Sequence, residues 1–108
     1  MLLIVSPYLF RKRFTGATVW PFIFLKNKRL KEDSVFINHE RIHLRQQIEL
    51  LVIPFFIWYF FEYLFRILQY KNKSQAYLNI SFEREAYENE KDLEYLSNRS
   101  FLRFLKYI

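Results

Sequence analysis

His39 and His43, the two histidines of this 108-residue chain, lie four positions apart, and Glu40 directly follows the first. On a helix, residues i and i+4 stack on one face, so both imidazoles can aim a ring nitrogen at one ion about 2.1 Å away. Glu40, one position round the helix, reaches a water on that ion rather than the ion itself. His-Glu-x-x-His is the zinc-hydrolase pattern. Zinc lowers the pKa of a bound water to roughly 7, and Glu40 is placed to take its proton and later pass it to a leaving amine. Scattering the chain's two His and nine Glu at random reproduces the pattern in roughly one sequence in 650, so it counts as evidence of chemistry.

A catalytic zinc needs a third protein ligand and one open position. The chain has no third His and no Cys, so that ligand must be a carboxylate. The richest source is the segment after Ser81, which carries Glu83 and Glu85 on an element separate from the histidines. Both acids would also suit a helix N-terminus without any metal. In the same way, His39 and His43 could be ordinary helix-surface residues, or could bind zinc without catalysis.

The elements that must position these residues read as mainly α (α+β), in one domain covering 1–108. Residues 2–10 and 17–25 are apolar, β-branched and aromatic, and are expected to form two strands of a small N-terminal β-hairpin or sheet. Pro21 demotes the second strand to an edge or marks a bulge. Asp33 or Ser34 can cap an active-site helix from Val35 to about Ile53, where Pro54 should end or kink it. An apolar helix follows, and 75–80 reads as a connecting piece. Two C-terminal helices complete the chain: one capped by Ser81 and running from Phe82 to about Leu96, and one with Phe101, Leu102, Leu105 and Ile108 on one face.

Here the chain resembles the gluzincins, the thermolysin-like branch of zincin metallopeptidases, and within them the small single-domain minigluzincins. Their third ligand is a Glu on a second helix, often in a Glu-x-x-Ala-Asp pattern. This chain reads Glu83-Arg84-Glu85-Ala86-Tyr87, so the resemblance implies Glu83 as ligand, with Glu85 the second choice. Tyr87 stands where the family has an Asp that orients a zinc-binding histidine. Gln46, three residues after His43, is similar to small families of this branch with a Gln at that place. The resemblance further implies a Tyr or Arg that steadies the oxyanion, for which Tyr77, Tyr87 and Arg84 are candidates. It implies too a peptide substrate laid along a sheet edge, here the 17–25 strand.

Composition narrows the setting. Without cysteine there is neither a disulfide framework nor a thiolate site. The net charge of +6 is uneven: residues 1–31 hold seven Lys/Arg and no acid, whereas 83–94 hold six acids. A basic surface with 21% aromatic residues suits an anionic membrane surface; no recognisable nucleic-acid module interleaves the two, which argues against nucleic acid. No signal-peptide cleavage pattern follows the apolar start, so a cytoplasmic location is expected.

Residues 50–65 are apolar on nearly every face, with Pro54 and Glu62 inside, and fall short of the ~20 residues of a full span. Peripheral or re-entrant membrane association, burial in a compact core or homodimer, and a longer true span are the three readings. The functional expectation is a zinc-dependent metallohydrolase, a peptidase acting near the membrane, with Zn2+ on His39, His43 and Glu83 and with Glu40 as base. The rival is a non-catalytic zinc-binding, membrane-surface or partner-binding protein.

Overall fold

The structure, a computed structural model, describes residues 2–5 and 16–108. The rest of the first apolar run, 6–10, and the cluster Arg11, Lys12 and Arg13 lie outside the described residues.

The two runs do share one small sheet, but they do not pair as a single hairpin. The second run is itself a hairpin: β2 (Gly16–Val19) turns at Trp20-Pro21 into β3 (Phe22–Leu25), with Val19 opposite Phe22. Pro21 has no amide hydrogen and cannot serve a strand interior, so it occupies the turn, after a cis peptide bond. β1 (Leu2–Val5) then joins β3 in parallel, Leu2 beside Phe22, giving the order β1-β3-β2. Ile23 and Leu25 are fully buried against Leu44.

Helix α1 (Ser34–Leu50) lies across the sheet, capped by the Asp33 carboxylate accepting from the Phe36 amide. Gly16, the chain's one glycine, permits this approach. A Cβ there would stand 2.2 Å from the Phe36 ring. The helix stops at Leu50, three residues before the expected end, and Leu51 turns the chain at φ 63°. Pro54 therefore ends nothing. It sits in the first turn of α2 (Val52–Tyr70), where an amide hydrogen has no helical partner anyway.

Helix α2 contradicts the compact-core reading of the apolar segment. Its one deeply buried apolar side chain is Phe55, which packs with Ile80, Phe82 and Phe104. Its other buried residues are Glu62 and Arg66. Glu62 looks like an interruption in the sequence, but its carboxylate accepts from both the amide and the hydroxyl of Ser81 at 2.6 Å. Ser81 is thus the first helical residue of α4 (Ser81–Asn89) and not its cap, and Glu62 takes the capping part from across the fold.

The connecting piece is partly helical, α3 (Lys73–Leu78), capped by Asn72. The long helix expected to reach Leu96 breaks after Asn89 and resumes as α5 (Tyr95–Asn98). The last apolar stripe forms a 3-10 turn, Arg103–Tyr107, rather than an α-helix, and places Phe104 in the core. Asn38 holds the break after α4, donating to the carbonyls of Glu90 (2.8 Å) and Asp92 (2.9 Å). The expected class, mainly α with a small N-terminal sheet, holds.

Candidate metal centre

Among the described residues, twelve polar or charged side chains are buried against ten apolar ones. Such an interior is arranged around polar contacts, which marks a site more than a core. Six of the twelve come from α1: Asn38, His39, Glu40, His43, Gln46 and Gln47.

His39 and His43 point their Nε2 atoms at each other, 3.2 Å apart. Across from them, α4 brings Glu83 Oε1 to 3.1 Å from His43 Nε2 and 3.4 Å from His39 Nε2. Ala86, fully buried, is the small residue that α4 offers beside Glu83. Three donors held at 2.0–2.1 Å by a tetrahedral ion lie about 3.3 Å from one another, so the triangle is of a size that could hold a metal ion. Glu85, the second choice, faces elsewhere.

The surroundings fix which lone pairs face inward. Gln46 donates its amide hydrogens to the Phe82 carbonyl (3.1 Å) and to Glu85 Oε1 (2.9 Å). Its oxygen therefore faces His43 Nδ1 at 2.8 Å, which must carry the hydrogen and leave Nε2 free as a ligand. Glu90 Oε1 stands 3.8 Å from His39 Nδ1 and supplies a carboxylate on the outer side of that ring. Two imidazole nitrogens and one carboxylate oxygen thus converge, and where no ion lies between them a proton on His43 Nε2 bridges to Glu83. A cation suits that arrangement.

With no ion between them, burial would lower the His43 pKa, but the Glu83 carboxylate, aided by Glu40 and Gln46, raises it to about 9. Burial would raise Glu83, yet His43 and His39 hold it well below the usual carboxylate range. The charged His43 therefore stabilises the ion-free fold fully below pH 6.5, and that contribution disappears as the pH climbs through about 9. A metal needs the same Nε2 lone pair, so its affinity should change in the opposite direction, rising about tenfold per unit up to that pH. Titration calorimetry in buffers of different ionisation heat should record about one proton released per ion at pH 7. Binding without proton release would contradict this account.

Glu40 is buried beside the triangle, its Oε2 accepting from the Thr18 hydroxyl of β2 at 2.5 Å. The sheet thereby fixes one oxygen of the expected base. The outward groups of β2 are partly taken: Gln47 donates to the Thr18 carbonyl (2.8 Å) and accepts from the Trp20 amide (2.7 Å). The 17–25 edge expected to receive a peptide is closed at those two residues.

Tyr77 and Tyr87 meet at their hydroxyls, 3.4 Å apart, and the Tyr87 ring lies edge-on to His39 at 4.5 Å between centroids. Both stand beside the triangle. Arg84 turns away, to Asn79 and the Tyr107 carbonyl. Sequence reasoning missed Tyr59, whose hydroxyl donates to Glu83 Oε2 at 2.7 Å. The signal was its position on the face of α2 that also carries Phe55 and Glu62. Glu90 was missed too, although it lies two helical turns after Glu83. Arg99, paired with Glu85 and Glu49, was missed as well.

No family model, curated protein or solved structure matches this chain.

Proposed function

We propose that the chain is a zinc-dependent metallohydrolase, a peptidase, with His39, His43 and Glu83 as the metal ligands and Glu40 as the general base. The observation that carries this reading is the His39–His43–Glu83 triangle, with edges of 3.1–3.4 Å, beside a buried Glu40. Its resemblance to a gluzincin site rests on the motif residues and on this geometry.

His39, His43 and Glu83 would hold the zinc, which would supply Lewis-acid activation of a water and of the scissile carbonyl. Glu40 is the group of this chain that would hold the proton between the water and the leaving amine. Thr18 steers one Glu40 oxygen by hydrogen bonding and leaves the other for the proton. Tyr59 fixes the outer oxygen of Glu83, so that Oε1 stays turned to the histidines. Tyr77 and Tyr87 are the groups beside the histidines that could donate to an oxyanion.

Elemental analysis tests the ligand set. Purified wild type should carry one zinc per chain, and Glu83→Ala should lose it. Glu85→Gln should still bind zinc in whatever fraction remains folded, only more weakly through Gln46 and His43, because Glu85 lies outside the triangle. Zinc retained by Glu83→Ala would refute the proposed ligands. Stoichiometric zinc without peptide cleavage by wild type would leave the rival reading, a zinc-binding protein without catalysis.

A further inference from the structure

Helix α2 carries Ile53, Phe56, Ile57, Phe60, Phe61, Leu64, Phe65 and Leu68 on its outer side, each 38–78% exposed. No charged residue interrupts them. Together they present on the order of 1000 Å² of contiguous apolar surface, against roughly 300–600 Å² for the largest patch of an ordinary monomer. Phe61, Phe65, Pro54 and Ile57 also line a groove, with Ile108 across it and with Trp58, Glu62 and Arg66 toward the core side.

The width of the stripe decides between partners. At 100° per residue its positions spread over about half the helix circumference. A second copy pairing helix to helix would cover only a narrow seam and leave the flanks in water. A lipid surface covers the whole half. Charge agrees: exposed Lys71 and Lys73 follow the helix end directly, and the chain's net charge is +6.

The inner side of α2 fixes the orientation. The helix is long and apolar enough to cross a bilayer by length and composition. Yet Tyr59, Glu62 and Arg66 face inward, where Tyr59 bonds Glu83 and Glu62 bonds Ser81. A spanning α2 would carry α1 and α4, with exposed Arg41 and Glu88, into hydrocarbon beside it. A helix lying in the interface buries the stripe and keeps those charges wet.

The geometry points to an anionic lipid bilayer as the partner of this face, with α2 in the plane of the surface and the His39–His43–Glu83 triangle on the side turned away from lipid. The inference is independent of hydrolysis. It would bring the triangle within about one helix diameter of the membrane, so substrates would be peptide segments at that surface.

The test is cell-free synthesis of the full chain with phosphatidylcholine vesicles, with or without phosphatidylglycerol, followed by density-gradient flotation. Wild type should float with the phosphatidylglycerol vesicles and less so in high salt. Phe60→Asp with Leu64→Asp should stay at the bottom, its helical circular dichroism unchanged. Lys71→Gln with Lys73→Gln, which touches no apolar contact, should partition roughly thirtyfold more weakly at low salt. Because the chain has no cysteine, Lys28→Cys and Lys73→Cys variants report orientation. Both should react with an impermeant maleimide outside intact vesicles. Wild type left at the bottom of the gradient as monomer, dimer or aggregate would overturn the proposal. So would equal flotation without phosphatidylglycerol, or one cysteine labelled only after lysis.

Discussion

Glu40→Gln should keep one zinc per chain and an unchanged melting temperature while peptide hydrolysis falls by about 100- to 10,000-fold, the range typical of losing a general base. The substitution is nearly isosteric, and the Gln oxygen can still accept from the Thr18 hydroxyl, so the contact between β2 and α1 survives. Neither nitrogen of His39 or His43 is touched, and Glu83 keeps its bond from Tyr59. Only the capacity to accept a proton goes. The measurement is a peptide-library digest read by mass spectrometry as new termini, with zinc counted on the same sample. Turnover within tenfold of wild type would remove Glu40 from the role of base. Zinc lost from the variant would show that Glu40 shapes the metal site instead.

Arg99→Ala should lower stability by about 3–5 kcal/mol, enough to leave a domain of this size close to unfolded at room temperature. The Arg99 side chain is 0% exposed and pairs with both Glu85 and Glu49, whose carboxylates are 0% and 6% exposed. Tyr95 adds a bond to Glu85 at 2.6 Å. Removing the guanidinium strands two buried carboxylates with one hydroxyl and one amide between them. Arg99→Lys keeps the charge but loses the planar fork, so it should fall between wild type and Ala. Urea titration should show the midpoint shifting with little change in slope. A loss under about 1 kcal/mol for Arg99→Ala would mean that the cluster is open to water.

The same cluster ties stability to the site. Glu85 holds Gln46, and Gln46 holds His43 Nδ1, so Arg99 stands three contacts behind a metal ligand. Arg99→Lys, where it folds, should therefore weaken zinc binding without any direct contact with the ion. Competition with a chelator would measure it.

What could be read from the chain depended on sequence distance. Helix α1 was legible because cap, periodicity and motif all lie within seventeen residues, and His39 and His43 share a face through helix geometry alone. Glu83 was reachable by its Glu-x-x-Ala pattern, which is again local. Ends and breaks were less legible. Leu51 leaves α1 through a left-handed turn that no Gly or Asn announces, and Pro54 suggested a stop where it fits a start. The hairpin was misplaced because Trp20-Pro21 turns the chain inside an apolar run that contains no Gly or Asn at the turn.

Residue types and short spacings by themselves determined the helix class, the paired histidines, the acid between them and the absence of thiolate chemistry. Tertiary structure alone decided that Glu85 turns to Arg99, that Tyr59 orients Glu83, and that Glu62 caps α4 from nineteen residues away. It decided too that α2 keeps one side dry and leaves the other exposed among the described residues. The physical reason is that periodicity fixes which face a residue occupies, whereas only packing between elements fixes what that face meets.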